Sequence, residues 1–229
     1  MIKHIFFDLD HTIWDFDKNA EETLLELYRH YKLDELGLSS AEEFILNYTI
    51  NNHALWADYH MGRISKELLR AERFKRTFLQ MGILPEHVPL QFEDDYVRMS
   101  PTKKNLFEGS IKVLEYLQQR YQLHIITNGF KETTITKMTV SGLNPYFNNV
   151  IISEDVGYNK PHPSVFQYAI DKAQAKVDES IMIGDSLEAD IYGAKNFGMQ
   201  AIFFNPLRKE KPEDVDWQIH HLEELLLHF

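Results

Sequence analysis

Two aspartates near the start of the chain have the spacing of a two-carboxylate reaction centre. The segment FFDLDHT places Asp8 and Asp10 directly after Ile5-Phe6-Phe7, a run typical of a buried strand, and places Thr12 two residues further on. Side chains at i and i+2 of an extended chain point the same way, so both carboxylates can serve one centre. An unpaired carboxylate beside an apolar strand is costly. The pair therefore predicts either a solvated strand end or a bound cation.

Polar residues follow three later strand candidates as well. Thr127-Asn128-Gly129 ends one apolar run, Lys160 follows the next, and Gly184-Asp185 ends a third, with Asp190 completing GDSLEAD. In an open α/β sheet the ligand binds at the carboxyl ends of the strands. We therefore expect these groups to converge on one site.

The ligand types favour a hard metal ion beside a phosphoryl group. Carboxylates that repel one another are tolerated when a cation lies among them. The chain has no cysteine, and no histidine cluster lies at these strand ends, so the ligands would all be oxygen. Such a set suits Mg²⁺ before Ca²⁺. An ion held by carboxylates, next to a lysine and a hydroxyl, is typical of phosphoryl transfer.

Composition limits the class of protein and its partners. The 229 residues are 44% hydrophobic and 26% charged, which is typical of a globular protein of one or two domains. A net charge of −11 argues against a nucleic-acid polymer as partner. No signal-peptide pattern or membrane-length apolar run is found, so we expect a cytoplasmic protein with no membrane partner. The pattern leaves the oligomeric state open.

The alternation of elements predicts a doubly wound, mainly parallel α/β sheet. The strand candidates lack polar/apolar alternation, as expected for strands covered on both faces; they are Lys3–Leu9, Gln122–Thr127, Asn149–Ser153, Ile181–Gly184 and Gln200–Phe204. Helical patterns are predicted between and after them: Ser110–Arg120, Lys131–Ser141, Ser164–Ala173, Glu188–Phe197 and His220–His228.

Residues 16–100 interrupt that alternation with a purely helical stretch. Helices are predicted over Asn19–Tyr31, from about Ala41 and over Ser65–Gln80, and the Ser39–Glu42 segment reads as a capping box for the second. The predicted domains are thus an α/β core of residues 1–15 and 101–229 and a helical insert of residues 16–100.

The ordered motifs resemble a known group of enzymes. DxDxT, a strand-end Thr, Lys-Pro and GDxxxxD, spread over residues 8–190, are similar to the motifs of the haloacid dehalogenase-like hydrolase superfamily. The resemblance implies a Rossmann-like core with an inserted helical cap. More narrowly, DLDHTIWDFD, LWADYHMGRISKELLRAERF and GDSLEADIYGAKNFGM resemble the noncanonical pyrimidine 5′-nucleotidase branch. His11 departs from the commoner pattern, which has glycine there; that branch accepts histidine.

The resemblance implies a role for each motif residue. Asp8 would be the nucleophile that forms an aspartyl-phosphate, and Asp10 the general acid and then the base for water. Mg²⁺ would be held by Asp8, Asp185 and the backbone carbonyl of Asp10. Thr127 and the Asn128 amide would bind phosphoryl oxygens.

The remaining candidates support the site or select the substrate. Lys160 would neutralise the charge that develops on the phosphoryl group. Asp190 is expected to hold Lys160 or a metal-bound water rather than the metal. In the helical stretch, Trp56 and Tyr59 lie at helical spacing. Such a stripe is more often core than ligand contact, but either ring could stack on a pyrimidine.

These observations predict an Mg²⁺-dependent phosphatase that hydrolyses phosphate monoesters through an aspartyl-phosphate. The expected substrates are small molecules, chiefly pyrimidine nucleoside 5′-monophosphates. Two alternatives stay open: a sugar phosphatase or phosphomutase on the same core, and a non-catalytic phosphate-binding domain. Dehalogenation fits less well, because it would leave Asp10 and Asp185 without a role.

Overall fold

The computed structural model describes residues 1–229 as six strands and nine α-helices. The strands are β1 (His4–Phe7), β2 (Gln122–Thr127), β3 (Asn149–Ile152), β4 (Ser180–Gly184), β5 (Gln200–Phe204) and β6 (Gln218–Ile219). The helices are α1 (Phe16–His30), α2 (Ala41–His60), α3 (Lys66–Gln80), α4 (Phe92–Met99), α5 (Ser110–Leu117), α6 (Lys131–Val140), α7 (Ser153–Val156), α8 (Pro163–Ala173) and α9 (Gly193–Phe197). No helix combines the length and apolar character needed to span a membrane.

The six strands form one parallel sheet in the order β3-β2-β1-β4-β5-β6. All four residues of β1 are buried, as expected for a strand at the centre of a sheet covered on both faces. Helices connect the first five strands in succession. This arrangement confirms the predicted doubly wound α/β class.

The register of the central strands aligns the ends that carry the motifs. Phe7, the last residue of β1, lies opposite Ile125 of β2 and Ile183 of β4. The Asp8 amide donates to the Ile183 carbonyl at 2.9 Å. Since the chain order reverses direction on either side of β1, this is the edge at which such sheets bind ligands.

The chain divides into two compact units, residues 1–16 with 104–229 and residues 17–103. The first contains the whole sheet. The second is helical and has a core of aromatic rings. The centre of the Phe92 ring lies 4.8–5.9 Å from the ring centres of Phe44, Phe74 and Phe78. The buried Arg73 of this unit is paired with Glu93 at 2.7 Å, so its charge is compensated.

Three local predictions differ from the structure. A helix over His220–His228 is wrong: Gln218–Ile219 pairs with β5 as a sixth strand, and Leu222–Leu227 forms a 3₁₀-helix. The helix predicted to begin at Glu188 starts instead with a π-helical turn over Leu187–Tyr192 and becomes α-helical in α9. The N-cap of α2 is Ser40 rather than Ser39, because the Ser40 hydroxyl accepts from the Glu43 amide.

Candidate active site

A tight loop after β1 turns the motif residues back toward the sheet edge. The Leu9 carbonyl accepts from the amides of Ile13 and Trp14 at 3.0 and 2.8 Å. His11 sits in the left-handed region with φ of 64°. This is the position where glycine is usual, and a side chain there carries a conformational cost that the surrounding loop bonds must offset.

A buried lysine links two of the aspartates. Lys160 is 1% exposed. Its ammonium donates to Asp8 Oδ1 and Asp190 Oδ1 at 2.6 Å each and to the Ile126 carbonyl at 2.7 Å. All three ammonium hydrogens therefore have acceptors. Burial alone would lower the pKa of Lys160, but the charges of Asp190 and Asp8 raise it above its ordinary value.

Asp190 is fixed by the β4 end as well as by Lys160. Its second carboxylate oxygen accepts from the Ser186 amide at 3.0 Å. A Cβ at Gly184 would overlap the Asp190 carboxylate, so the last residue of β4 must be glycine for Asp190 to approach. The structure thus holds Asp190 against the Lys160 ammonium.

Three carboxylates meet at this point of the sheet edge. Asp8, Asp185 and Asp190 each offer an oxygen, and these oxygens lie within 4.8 Å of one another. Asp185 Oδ1 accepts from the Thr12 hydroxyl at 3.1 Å. Thr12 is fully buried. The structure therefore brings together residues from β1 and β4 that could share one ion.

The charges of this aspartate cluster favour the binding of a further cation. Burial raises the pKa of Asp8 well above its ordinary value, and the charges of Asp190 and Asp185 add to this, although Lys160 opposes it. Burial and then the charge of Asp190 raise the pKa of Asp185 to about 7. One lysine thus does not neutralise three clustered acids, and the all-oxygen donor set fits a hard divalent cation such as Mg²⁺.

The β2 end carries the candidate phosphate-binding residues. Thr127 is 1% exposed, and its hydroxyl oxygen accepts from the Gly129 amide at 3.0 Å. The Asn128 side chain accepts from the Lys160 amide at 2.8 Å and donates to the Lys160 carbonyl at 3.0 Å. Its side chain therefore ties the β2 end to the lysine segment. The backbone amide of Asn128 is the group that could face a phosphoryl oxygen.

Asp10 has a partner that the sequence did not predict. Its Oδ1 accepts from the Lys137 ammonium of α6 at 2.5 Å. Lys137 is 4% exposed and lies over the Trp14 ring, 4.3 Å from its centre. One feature of α6 could have pointed to this contact. Thr134, Lys137 and Met138 lie at helical spacing on one buried face of the helix, and a lysine on a buried face is unusual.

The two aromatic candidates lie together on α2 in the helical unit. The rings of Trp56 and Tyr59 meet edge to face with centres 5.4 Å apart. Tyr59 is 8% exposed and Trp56 is half-buried. Both rings thus contribute to the packing of this unit, and a role in substrate selection stays a prediction.

A family model described as haloacid dehalogenase-like hydrolase matches residues 2–198. The chain belongs to this family. It is therefore a hydrolase, and its parallel sheet is that of a family member.

Individual relatives align over nearly the whole chain. The pyrimidine 5′-nucleotidases YjjG of Escherichia coli K12 and PynA of Streptococcus pneumoniae R6 are 31% and 33% identical, over 97% and 98% of this chain and 96% and 93% of their own. The glyceraldehyde 3-phosphate phosphatase of Pyrococcus furiosus is 32% identical, over 98% of this chain and 92% of its own. The crystal structure of magnesium-bound HAD-hydrolase YfnB from Bacillus subtilis superposes with a TM-score of 0.87 at 28% identity, covering 99% of this chain and 98% of that chain.

Proposed function

We propose that this protein is an Mg²⁺-dependent phosphatase that hydrolyses pyrimidine nucleoside 5′-monophosphates through an aspartyl-phosphate on Asp8. The observation that carries the proposal is the cluster of Asp8, Asp185 and Asp190, whose oxygens lie within 4.8 Å of one another, with the Lys160 ammonium bound to Asp8 and Asp190. Hydrolase relatives that act on phosphate esters support it.

Asp8 is the proposed nucleophile because its setting orients it and limits water. It is 7% exposed and held at Oδ1 by Lys160, so Oδ2 is the oxygen for attack on phosphorus. The same ammonium stabilises negative charge that builds up on the phosphoryl group. Asp190 and the Ile126 carbonyl keep that ammonium in place.

Asp10 is the proposed general acid and base. As Asp8 attacks, Asp10 gives a proton to the leaving alkoxide; the resulting carboxylate then takes a proton from the water that hydrolyses the aspartyl-phosphate. The side chain of Asp10 is 18% exposed, so both the leaving group and water can reach it.

Asp8, Asp185 and the Asp10 carbonyl would hold Mg²⁺ in this proposal. When bound, the ion would polarise the phosphoryl oxygens and reduce repulsion between phosphate and carboxylates. Thr12 orients Asp185 through its hydroxyl. Thr127 and the Asn128 backbone amide are the proposed phosphate contacts at the β2 end.

The preference for nucleotides is supported by the two nucleotidase relatives and by the aromatic pair of α2. In this proposal the helical unit, residues 17–103, selects the base, with Trp56 or Tyr59 stacking on a pyrimidine ring. The α/β unit carries the chemistry.

Phosphate release from a substrate panel tests the proposed function. The panel contains UMP, dUMP, dTMP, AMP, glyceraldehyde 3-phosphate and p-nitrophenyl phosphate, each assayed with Mg²⁺ and with chelator. We expect the highest kcat/KM for the pyrimidine nucleotides and loss of turnover with chelator. Negligible turnover of every nucleotide would contradict the nucleotidase assignment, and no turnover of any ester would contradict the phosphatase.

A sugar phosphatase is the second candidate, favoured by the glyceraldehyde 3-phosphate phosphatase of Pyrococcus furiosus at 32% identity. A higher kcat/KM for glyceraldehyde 3-phosphate than for UMP in the same panel would select this alternative.

A further inference from the structure

We infer that Lys137 is the positioning residue of Asp10: it binds one carboxylate oxygen and thereby makes the other oxygen the one that carries the transferred proton. This inference rests on the proposed function, in which Asp10 is the acid and base. It adds a residue of α6 to the reaction, outside the four motifs of the chain.

The Lys137 ammonium is held from two sides. Its Nζ lies 2.5 Å from Asp10 Oδ1, and the side chain is 5% exposed. It also lies 4.3 Å from the centre of the Trp14 ring and 5.5 Å from that of Phe16. Cation–π contacts strengthen when the cation is removed from water, and Trp14 is fully buried. The ammonium is therefore held in place and can fix the orientation of the Asp10 carboxylate.

This contact distinguishes the two oxygens of Asp10. An ammonium has three donors and no acceptor, so Oδ1, which faces it, cannot donate a hydrogen bond to it. The proton that Asp10 transfers must therefore be carried on Oδ2. A Cβ built on Gly129 would lie 3.1 Å from Asp10 Oδ2 and 3.2 Å from Thr127 Oγ1. Oδ2 is thus on the side of the proposed phosphate-binding threonine.

A second residue of α6 lies near the same place. Thr134 is fully buried, and its hydroxyl has no hydrogen-bond partner. It would lie 3.0 Å from the same Cβ position on Gly129. Thr134 and Lys137 are three residues apart and share one face of the helix. A hydroxyl both donates and accepts, so it can pair with Oδ2 whether or not that oxygen carries the proton.

The inferred proton path is balanced over the two steps. In the first, Asp8 Oδ2 bonds to phosphorus, the bond from phosphorus to the leaving oxygen breaks, and the proton on Asp10 Oδ2 moves to that oxygen. In the second, a water oxygen bonds to phosphorus, one water proton moves to Asp10 Oδ2, and the bond from phosphorus to Asp8 breaks. Lys137 exchanges no proton in either step and remains bound to Oδ1.

The kinetic test compares two leaving groups in Lys137→Met and Lys137→Arg. The ratio kcat/KM reports the first step, which needs an acid for a nucleotide alkoxide and hardly any for p-nitrophenolate. We expect Lys137→Met to lose about 100-fold in kcat/KM for the best nucleotide and less than about 5-fold for p-nitrophenyl phosphate. Lys137→Arg should recover most of the loss. Lys131→Met on the same helix, exposed and paired with Asp155, is the matched control and should match wild type.

Equal losses on both substrates would mean a merely structural role and would overturn the inference, as would no loss on either. If Lys137→Met fails to fold, Lys137→Gln is assayed in the same way. A crystal structure of the variant gives a readout independent of catalysis: Asp10 should leave its wild-type orientation or occupy several. An Asp10 side chain that keeps its wild-type orientation in the variant would overturn the inference, whether or not the wild-type enzyme hydrolyses a phosphate ester. Failure of the proposed function itself is seen separately, as absence of turnover in the substrate panel.

Discussion

The carboxylates at the sheet edge differ in what neutralises them. Asp8 and Asp190 share the Lys160 ammonium, and Asp10 has Lys137. Asp185 faces a neutral hydroxyl, that of Thr12. Because burial and the charge of Asp190 oppose its ionisation, the ionisation of Asp185 should depend on an added cation.

This difference predicts a pH-dependent effect of Mg²⁺ on stability. The pKa of Asp185 is raised to about 7 in the folded protein, so the metal-free fold binds this proton more tightly than the unfolded chain does. The contribution of Asp185 to metal-free stability should therefore be fully present below about pH 4 and be lost as pH rises through about 7. Mg²⁺ should raise Tm by several degrees at pH 8 and hardly at pH 5, where protons compete for the carboxylates.

Differential scanning fluorimetry with and without Mg²⁺ measures this effect. Asp185→Asn should abolish most of the Mg²⁺-dependent rise in Tm, whereas Asp178→Asn, an exposed acid elsewhere in the α/β unit, should keep it. An equal rise at both pH values would argue against a shared ion at Asp185.

The sheet also contains a buried ionisable group other than the aspartates of the site, the histidine His124. His124 of β2 is fully buried. Its Nε2 lies 3.1 Å from His4 Nδ1 and its Nδ1 lies 3.1 Å from Asn149 Nδ2, so it links β1, β2 and β3. Its ring also stacks on Phe6 with centres 4.6 Å apart.

This link predicts acid sensitivity of the sheet. Burial, with a smaller contribution from His4, lowers the pKa of His124 to about 4. The unfolded chain protonates this ring near pH 6.5, so the stability that the neutral ring contributes is present above that pH and is lost as pH falls toward 4. The loss should be on the order of 3 kcal/mol. Urea unfolding of wild type and His124→Asn between pH 4 and 7 measures it: wild type should lose this much more stability than His124→Asn on going from pH 7 to pH 4. The variant of an exposed histidine, His87→Asn, should follow wild type. A difference in unfolding free energy between wild type and His124→Asn that stays constant over this range would contradict the assignment.

Secondary structure was predictable where the pattern was long and periodic. The five longer strands were predicted because buried parallel strands appear in the sequence as apolar runs bounded by turns. The short helix α7 between β3 and β4 was not predicted. β6 was missed because it has only two residues, Gln218–Ile219, and depends on pairing with β5. The LEELLL segment has helix-forming residues but forms a 3₁₀-helix, because tertiary packing overrides propensity in short segments.

The site was predictable only as far as the motifs extend. Asp8, Asp185 and Asp190 follow strands, so their convergence follows from topology. Lys137 lies within a helix, and its pairing with Asp10, 127 residues away in sequence, depends on how α6 packs. No local pattern specifies such a contact.

In the proposed function the two units carry different tasks, the chemical step and the selection of the base. The reacting residues all belong to the α/β unit, residues 1–16 and 104–229. Trp56 and Tyr59 belong to the helical unit. If base selection resides there, substitutions in that unit should change substrate preference and leave the chemistry of a substrate without a base intact.

Trp56→Leu tests that division. Loss of stacking should lower kcat/KM for UMP by about 10-fold, while kcat/KM for p-nitrophenyl phosphate stays within about 2-fold of wild type. Trp217→Leu is the matched control, because Trp217 packs on Phe229 within the α/β unit; it should leave the ratio of the two substrates unchanged. Equal losses of Trp56→Leu on both substrates would argue against a role in base selection.

Trapping the covalent intermediate tests the central claim most directly. Wild-type protein is mixed with Mg²⁺ and the best nucleotide, quenched in acid within milliseconds, reduced with borohydride and mapped by peptide mass spectrometry. Reduction converts an aspartyl-phosphate to homoserine, so we predict homoserine at position 8 in wild type and none in Asp8→Asn. Robust turnover with no modification at Asp8, or with phosphate on another residue, would contradict the account.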